Sequence, residues 1–202
     1  MEIHGNLIGG AWRREGRAHE VRSPHDGALV AQVTLAGPAL LGEAVEAAVA
    51  AQPAMAALSR EARSAILERM AQAVVSAGEE LAQLIRSESG KPITYARVEA
   101  ARTADTLRAS ADAVRALAGA EIPLDAARSG EGRLAFTRRF PVGPIAAITP
   151  FNFPINLVAH KLSPAFAVGA PVVLKPAPQA PLTASLLAQL VAEACAGAGV
   201  PG

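Results

Sequence analysis

The chain has 202 residues, 51% hydrophobic and 18% charged, a globular balance that excludes a disordered tail and is long enough to bury a core. Nineteen Lys and Arg against eighteen Asp and Glu leave a net charge of +1, without the clustered basic face that a nucleic-acid partner needs. No apolar run reaches the roughly 18 residues of a membrane helix, so neither nucleic acid nor membrane is expected as a partner.

The single cysteine, Cys195, excludes an internal disulfide and a Cys-based zinc site, and fits a cytoplasmic location. His4, His19, His25 and His160 share no ligand spacing, and no metal is expected. The opening MEIHGNLIGGAWRREG lacks the basic start and apolar stretch of a signal peptide. With 47 alanines and 3% aromatics, the core must rest on close helix packing rather than on large side chains.

In chain order, Leu7-Ile8 leads through Gly9-Gly10 to Trp12, which predicts short strands around a turn. Residues 20–24 read as a short edge strand, His25-Asp26-Gly27 as a turn, and residues 29–35 as a strand by alternation. From residue 38 to about 118 the apolar spacing is helical. Leu41, Val45, Ala48 and Val49 predict one inner face; Ile66, Leu67, Met70, Val74 and Val75 a second; Leu81, Leu84 and Ile85 a third. Gly78 and Gly90 punctuate these helices, and Ser59 ahead of Ala62 and Arg63 predicts a helix start. A long helix is predicted from about 92 to 117, with Leu107, Val114 and Leu117 facing one way and Arg97, Arg102, Arg108 and Arg115 on a solvated face. Residues 125–132 read as a polar loop.

The last seventy residues change character. Strands are predicted over 134–137, 145–149 and 171–175, and helices over 154–168, with Pro in the first turn, and 181–196. Strand, helix, strand, helix with continuously apolar strands implies a parallel sheet wound with helices, an α/β architecture. Ligands bind beyond the carboxyl ends of such strands, which here are the loops 149–154 and 175–181.

The first loop reads Thr149-Pro150-Phe151-Asn152-Phe153-Pro154. Its prolines stiffen the turn and remove competing backbone donors. The Asn152 amide either donates to a developing oxyanion or satisfies its own turn backbone; residue chemistry alone leaves both open. In the second loop Lys175 ends an apolar strand and either binds a ribose hydroxyl or phosphate or reaches out to solvent. Cys195 has no neighbouring His or Lys to activate it and reads as a small core residue. No G-x-G-x-x-G or Walker-type loop is present.

Taken in order, Ile8-Gly9-Gly10-Ala11-Trp12, Glu88-Ser89-Gly90-Lys91-Pro92, Thr149-Pro150-Phe151-Asn152-Phe153-Pro154, Lys175-Pro176-Ala177 and the closing Gly199-Val200-Pro201-Gly202 resemble the NAD(P)-dependent aldehyde dehydrogenase superfamily. Each motif is weak alone; the ordered set is specific and runs through essentially the whole chain. The resemblance implies an aldehyde dehydrogenase-like α/β fold, with N-terminal strands and a helical layer over residues 1–132 and the first half of a parallel-sheet NAD(P)-binding domain over 133–202.

The resemblance also implies roles. Asn152 matches the oxyanion-hole amide. Ile148, Thr149, Pro150 and Phe151 match the nicotinamide side of the cleft. Lys175 matches the lysine at the adenosine ribose, with Ala177 and Pro178 beside it. NAD-preferring members often carry Glu three residues after that lysine; here Pro178 stands there, so either NAD or NADP is expected. The Lys-Pro-Ala-Pro-Gln run is similar to branches that handle small aldehydes such as lactaldehyde, glyceraldehyde phosphate or phosphonoacetaldehyde. The family's nucleophilic cysteine lies beyond its Val-Pro-Gly motif, and Cys195 does not match it. The chain is therefore expected to be the N-terminal part of an aldehyde-oxidising homo-oligomer, a dimer or tetramer, and to be inactive by itself. The competing expectation is a non-catalytic assembly or weak nucleotide-binding module.

Overall fold

The structure, a computed structural model, describes residues 3–200; Pro201 and Gly202 of the closing motif lie outside the described residues. The N-terminal part holds five short strands: β1 (Ile3–His4), β2 (Asn6–Ile8), β3 (Ala11–Arg13), β4 (Arg17–Arg22) and β5 (Leu29–Leu35). β2 and β3 form a hairpin through Gly9 and Gly10, both at positive φ. β5 lies between β1, parallel to it, and β4, antiparallel to it. The predicted 20–24 strand is shifted to Arg17–Arg22. Ser23 instead opens the turn, where Gly27 N–H donates to its carbonyl at 2.9 Å and Asp26 accepts from Ala28 N–H at 3.1 Å.

Four helices follow: α1 (Pro38–Ala57), α2 (Arg60–Ser76), α3 (Gly78–Ser89) and α4 (Ile93–Ala116). The helix start at Ser59 is borne out, its hydroxyl accepting from Ala62 N–H at 3.0 Å. Gly90 ends α3 at φ +70°, and a Cβ there would meet Pro24 at 2.9 Å, so conformation and space both require glycine. The inner face predicted for α1 needs correction. Leu41, Val45 and Val49 are exposed, while Leu40, Ala48 and Met55 are buried. α1 has apolar residues on every side and only two charges, Glu43 and Glu46, so its periodicity does not single out one face. Val75 likewise turns outward, while Ile66, Leu67, Met70 and Val74 pack inward.

The predicted polar loop is two short 3-10 turns, Leu124–Ala126 and Arg128–Gly130, framed by β6 (Glu121–Ile122) paired antiparallel with β7 (Ala135–Phe136). The chain then runs β8 (Ile145–Ile148), α5 (Asn156–Val168), β9 (Val172–Lys175) and α6 (Pro181–Ala196). β8 and β9 are parallel and in register from Ile145 opposite Val172 to Ile148 opposite Lys175, as the alternation of strand and helix implied.

One apolar cluster joins the helical layer to these last elements. Ile66, Leu67 and Met70 of α2 and Ile85 of α3 meet Leu107 and Val114 of α4, Ile155 and Val158 beside and within α5, and Leu187 of α6. The alanines Ala96, Ala100, Ala104 and Ala111 form the inner line of α4, which lets neighbouring backbones approach closely. Val21, Ala31 and Val33 of the N-terminal sheet pack separately on Leu182 at the start of α6.

Candidate functional site

The register of β8 and β9 brings two of the sequence motifs together. Ile148 faces Lys175 across the pair, and Thr149 N–H donates to the Lys175 carbonyl at 3.3 Å. Both following loops therefore leave the carboxyl end of the same parallel pair. Ile148 is 68% exposed, and Pro150, Phe151, Asn152, Lys175 and Pro178 are exposed with it. Ala177 is buried beneath them. Lys175 has no ion-pair partner among the described residues, and Thr149 holds a buried hydroxyl that finds no hydrogen bond there. A free ammonium and an unspent hydroxyl at the ends of parallel strands suit a ligand carrying hydroxyls and phosphates. These residues fit NAD or NADP.

The Asn152 side-chain amide makes no hydrogen bond among the described residues and stands exposed. It does not satisfy its own turn, which was one of the two sequence readings. Its loop is held by its backbone instead. Lys91 Nζ donates to the Asn152 carbonyl at 2.9 Å and lies 4.2 Å from the centre of the Phe153 ring. Lys91 also forms an ion pair with Glu99, whose side chain is only 1% exposed. The second carboxylate oxygen of Glu99 accepts from Ile155 and Asn156 N–H at 3.1 and 3.3 Å. These contacts explain a boundary difference: α5 begins at Asn156, after Pro154, because a carboxylate from α4 receives the amides at its start.

The second loop has a parallel anchor. Glu88 of α3 is 3% exposed and accepts from Leu182 and Thr183 N–H at 2.5 and 2.8 Å, and from the Thr183 hydroxyl. Burial pushes its carboxyl up despite these donors. From the other side, the Pro178 carbonyl accepts from His19 Nε2 at 3.3 Å. Two buried glutamates, one on each side of the Gly90-Lys91-Pro92 turn, thus each fix the helix start that follows a cleft loop.

Sequence reasoning assigned no role to Glu88, Lys91 or Glu99. The signal for Glu99 was available: a carboxylate among Ala96, Ala100 and Thr103 on the buried line of α4 needs partners. Beside Asn152 a cleft of about 360 Å³ is lined by Lys91, Tyr95, Val98, Glu99, Arg102 and Phe153. A second, more open groove between α4 and α5 includes Arg102 and His160. Cys195 is buried and its thiol is pushed up to about 11 by burial, the setting of a core residue. Among the described residues no helix is long and apolar enough to cross a membrane.

Comparison with known proteins shows the family and the fold. The sequence profile of the aldehyde dehydrogenase family matches residues 12–202. The chain is 39% identical over 194 residues to 3-sulfolactaldehyde dehydrogenase of Priestia aryabhattai, covering 96% of this chain and 40% of that protein. Aldehyde dehydrogenase 21 of Physcomitrella patens, solved with the reaction product succinate, superposes with a TM-score of 0.90 at 38% identity, over 94% of this chain and 40% of that one. Glyceraldehyde-3-phosphate dehydrogenase of Methanocaldococcus jannaschii, solved with NADP, gives 0.86 at 35% identity over the same shares. The chain thus spans about 40% of the length of the relatives it matches.

Proposed function

The chain belongs to the aldehyde dehydrogenase family, and from that premise we propose that it supplies the oxyanion side and half of the cofactor cleft of an enzyme oxidising a small aldehyde to its acid. The observation that carries this reading is the exposed Asn152 amide, unspent at the carboxyl end of a parallel strand pair and held from behind by its backbone.

Ile148, Thr149, Pro150 and Phe151 line the nicotinamide side, and Lys175, Ala177 and Pro178 the adenosine side. A bound NAD or NADP supplies the hydride acceptor. The division at 132/133 puts the strands and helical layer first, then the strand-helix-strand-helix unit, with the cleft beside Asn152 lined from both. Aldehyde oxidation by this family's chemistry needs a thiolate, and Cys195 cannot provide it. In this reading another cysteine than Cys195 supplies the thiolate. When it adds to the aldehyde carbon, the carbonyl oxygen takes up negative charge, and the Asn152 N–H groups donate to it. Loss of hydride restores the carbonyl as a thioester, and water releases the acid and the thiol.

Leu134, Phe136, Phe140 and Val142, 66–94% exposed along one stretch, support assembly as a dimer or tetramer. The lone unpaired cysteine supports a cytoplasmic setting.

The test is the intact mass of the gene product from its own cells, together with NAD(P)H formation on added small aldehydes. A mass more than twice 20.6 kDa with aldehyde-dependent reduction is expected. A 20.6 kDa product without reduction would overturn the enzyme and leave the assembly or nucleotide-binding module.

A further inference from the structure

We propose that Lys91 and Glu99 are positioning residues that hold the Asn152 loop in its donating geometry, an inference that rests on the reading of Asn152 as the oxyanion donor. Leu157 N–H holds the Phe153 carbonyl at 3.0 Å, but the Asn152 peptide itself has no local anchor among the described residues. Pro150 and Pro154 lack N–H groups, and the Asn152 carbonyl receives no backbone donor from its own turn. Among the described residues its one donor, Lys91 Nζ at 2.9 Å, lies 61 residues away in sequence.

That lysine is itself fixed from three directions. Gly90, which only glycine can occupy, sets the turn before it. The Phe153 ring lies 4.2 Å from its ammonium. Glu99 binds the ammonium with one oxygen and the Ile155 and Asn156 amides with the other. Asn152 thus sits between two points tied to the same carboxylate, the lysine at its own carbonyl and the helix start three residues on.

The environment argues for position over stability. Surface pairs such as Arg97–Glu79 are more than half exposed on both sides. The Lys91 and Glu99 side chains are 16% and 1% exposed. A buried ion pair is a poor way to gain stability, because desolvation offsets most of the attraction. It is a good way to fix one geometry beside a cleft that these same two residues line.

The test is made on the complete gene product, with Lys91→Met, Asn152→Ala and their combination. Lys91→Met is expected to lower kcat about 10- to 100-fold, the cost of a misplaced catalytic group, with KM for NAD(P) unchanged and activity largely restored by Lys91→Arg. If Lys91 acts through Asn152, Lys91→Met lowers kcat no further in the Asn152→Ala background. Full multiplication of the two losses would overturn the proposal. Should Lys91→Met leave Glu99 uncompensated and unfold the protein, Lys91→Met with Glu99→Gln removes both charges and keeps an acceptor for the two amides; the same outcomes decide. If the wild type shows no aldehyde-dependent activity, the oxyanion reading fails rather than the brace. Hydrogen exchange at Phe153, Ile155 and Asn156 then decides the brace alone: faster exchange in Lys91→Met supports it, and unchanged exchange overturns it.

Discussion

Glu88, in the last turn of α3, receives both the backbone N–H and the hydroxyl of Thr183, 95 residues later in the first turn of α6. The contact closes the loop 175–181 from beneath and makes the start of α6 dependent on a carboxylate from the helical layer. Glu88→Ala strands three buried donors, and a stability loss of about 2–3 kcal/mol is expected in denaturant titrations.

The same carboxyl sets a pH dependence. Burial holds Glu88 above the usual carboxylate range in the folded chain. A raised carboxyl favours folding at low pH. Its contribution is fully present below the ordinary value near 4.5 and is lost as pH rises through the folded value. Replacing Glu88 by Gln should flatten that decline, seen as a smaller fall in Tm with rising pH than in the wild type. An equal or steeper fall would refute the assignment.

Glu79 and Arg97 pull in the opposite direction. Hydrogen bonds from Arg97 first, then Gln83, hold the Glu79 carboxyl down at about 2. A depressed carboxyl stabilises the fold above its ordinary value near 4.5 and loses that effect as pH falls toward 2. The pair is exposed, so the effect is small and screened by salt. Arg97→Gln should lower Tm slightly at pH 6 in low salt, and the difference from wild type should vanish near pH 2.

On the proposed function, Asn152→Ala in the full-length gene product should lower kcat about 10²–10³-fold, the value of one oxyanion donor in a dry site, while leaving NAD(P) affinity unchanged. A loss confined to KM for NAD(P) would move Asn152 from the chemistry to the cofactor.

Pro178 offers a gain-of-preference test. On the proposed cofactor placement, Pro178→Glu sets a carboxylate three residues after Lys175, where it would repel a 2′-phosphate and bind ribose hydroxyls. The ratio of kcat/KM for NAD over NADP is expected to rise.

Cys195 should react with thiol reagents at pH 8 only after denaturation, since burial both shields the sulfur and keeps it protonated. Rapid native labelling, or loss of aldehyde oxidation in Cys195→Ala, would contradict its place as a core residue.

Much of this molecule was legible in the order of its residues. The helix Pro181–Ala196, the strand Leu29–Leu35, the start at Ser59 and the alternation of strand and helix after residue 145 all follow from local signals. Apolar periodicity, caps and proline act within a few residues, so a linear reading can find them. The loop of Asn152 and the strand end of Lys175 were visible for the same reason. Tertiary structure decided the rest. Which side of α1 lies inward depended on what packs against it, because an alanine-rich helix offers no polar face to exclude. That Glu88 and Glu99 each brace the helix start beyond a cleft loop depended on contacts 56 to 95 residues apart. A buried carboxylate shows in sequence only as a charge out of place. Its partners are fixed when the helices meet, because only then does desolvation force every donor and acceptor to be matched.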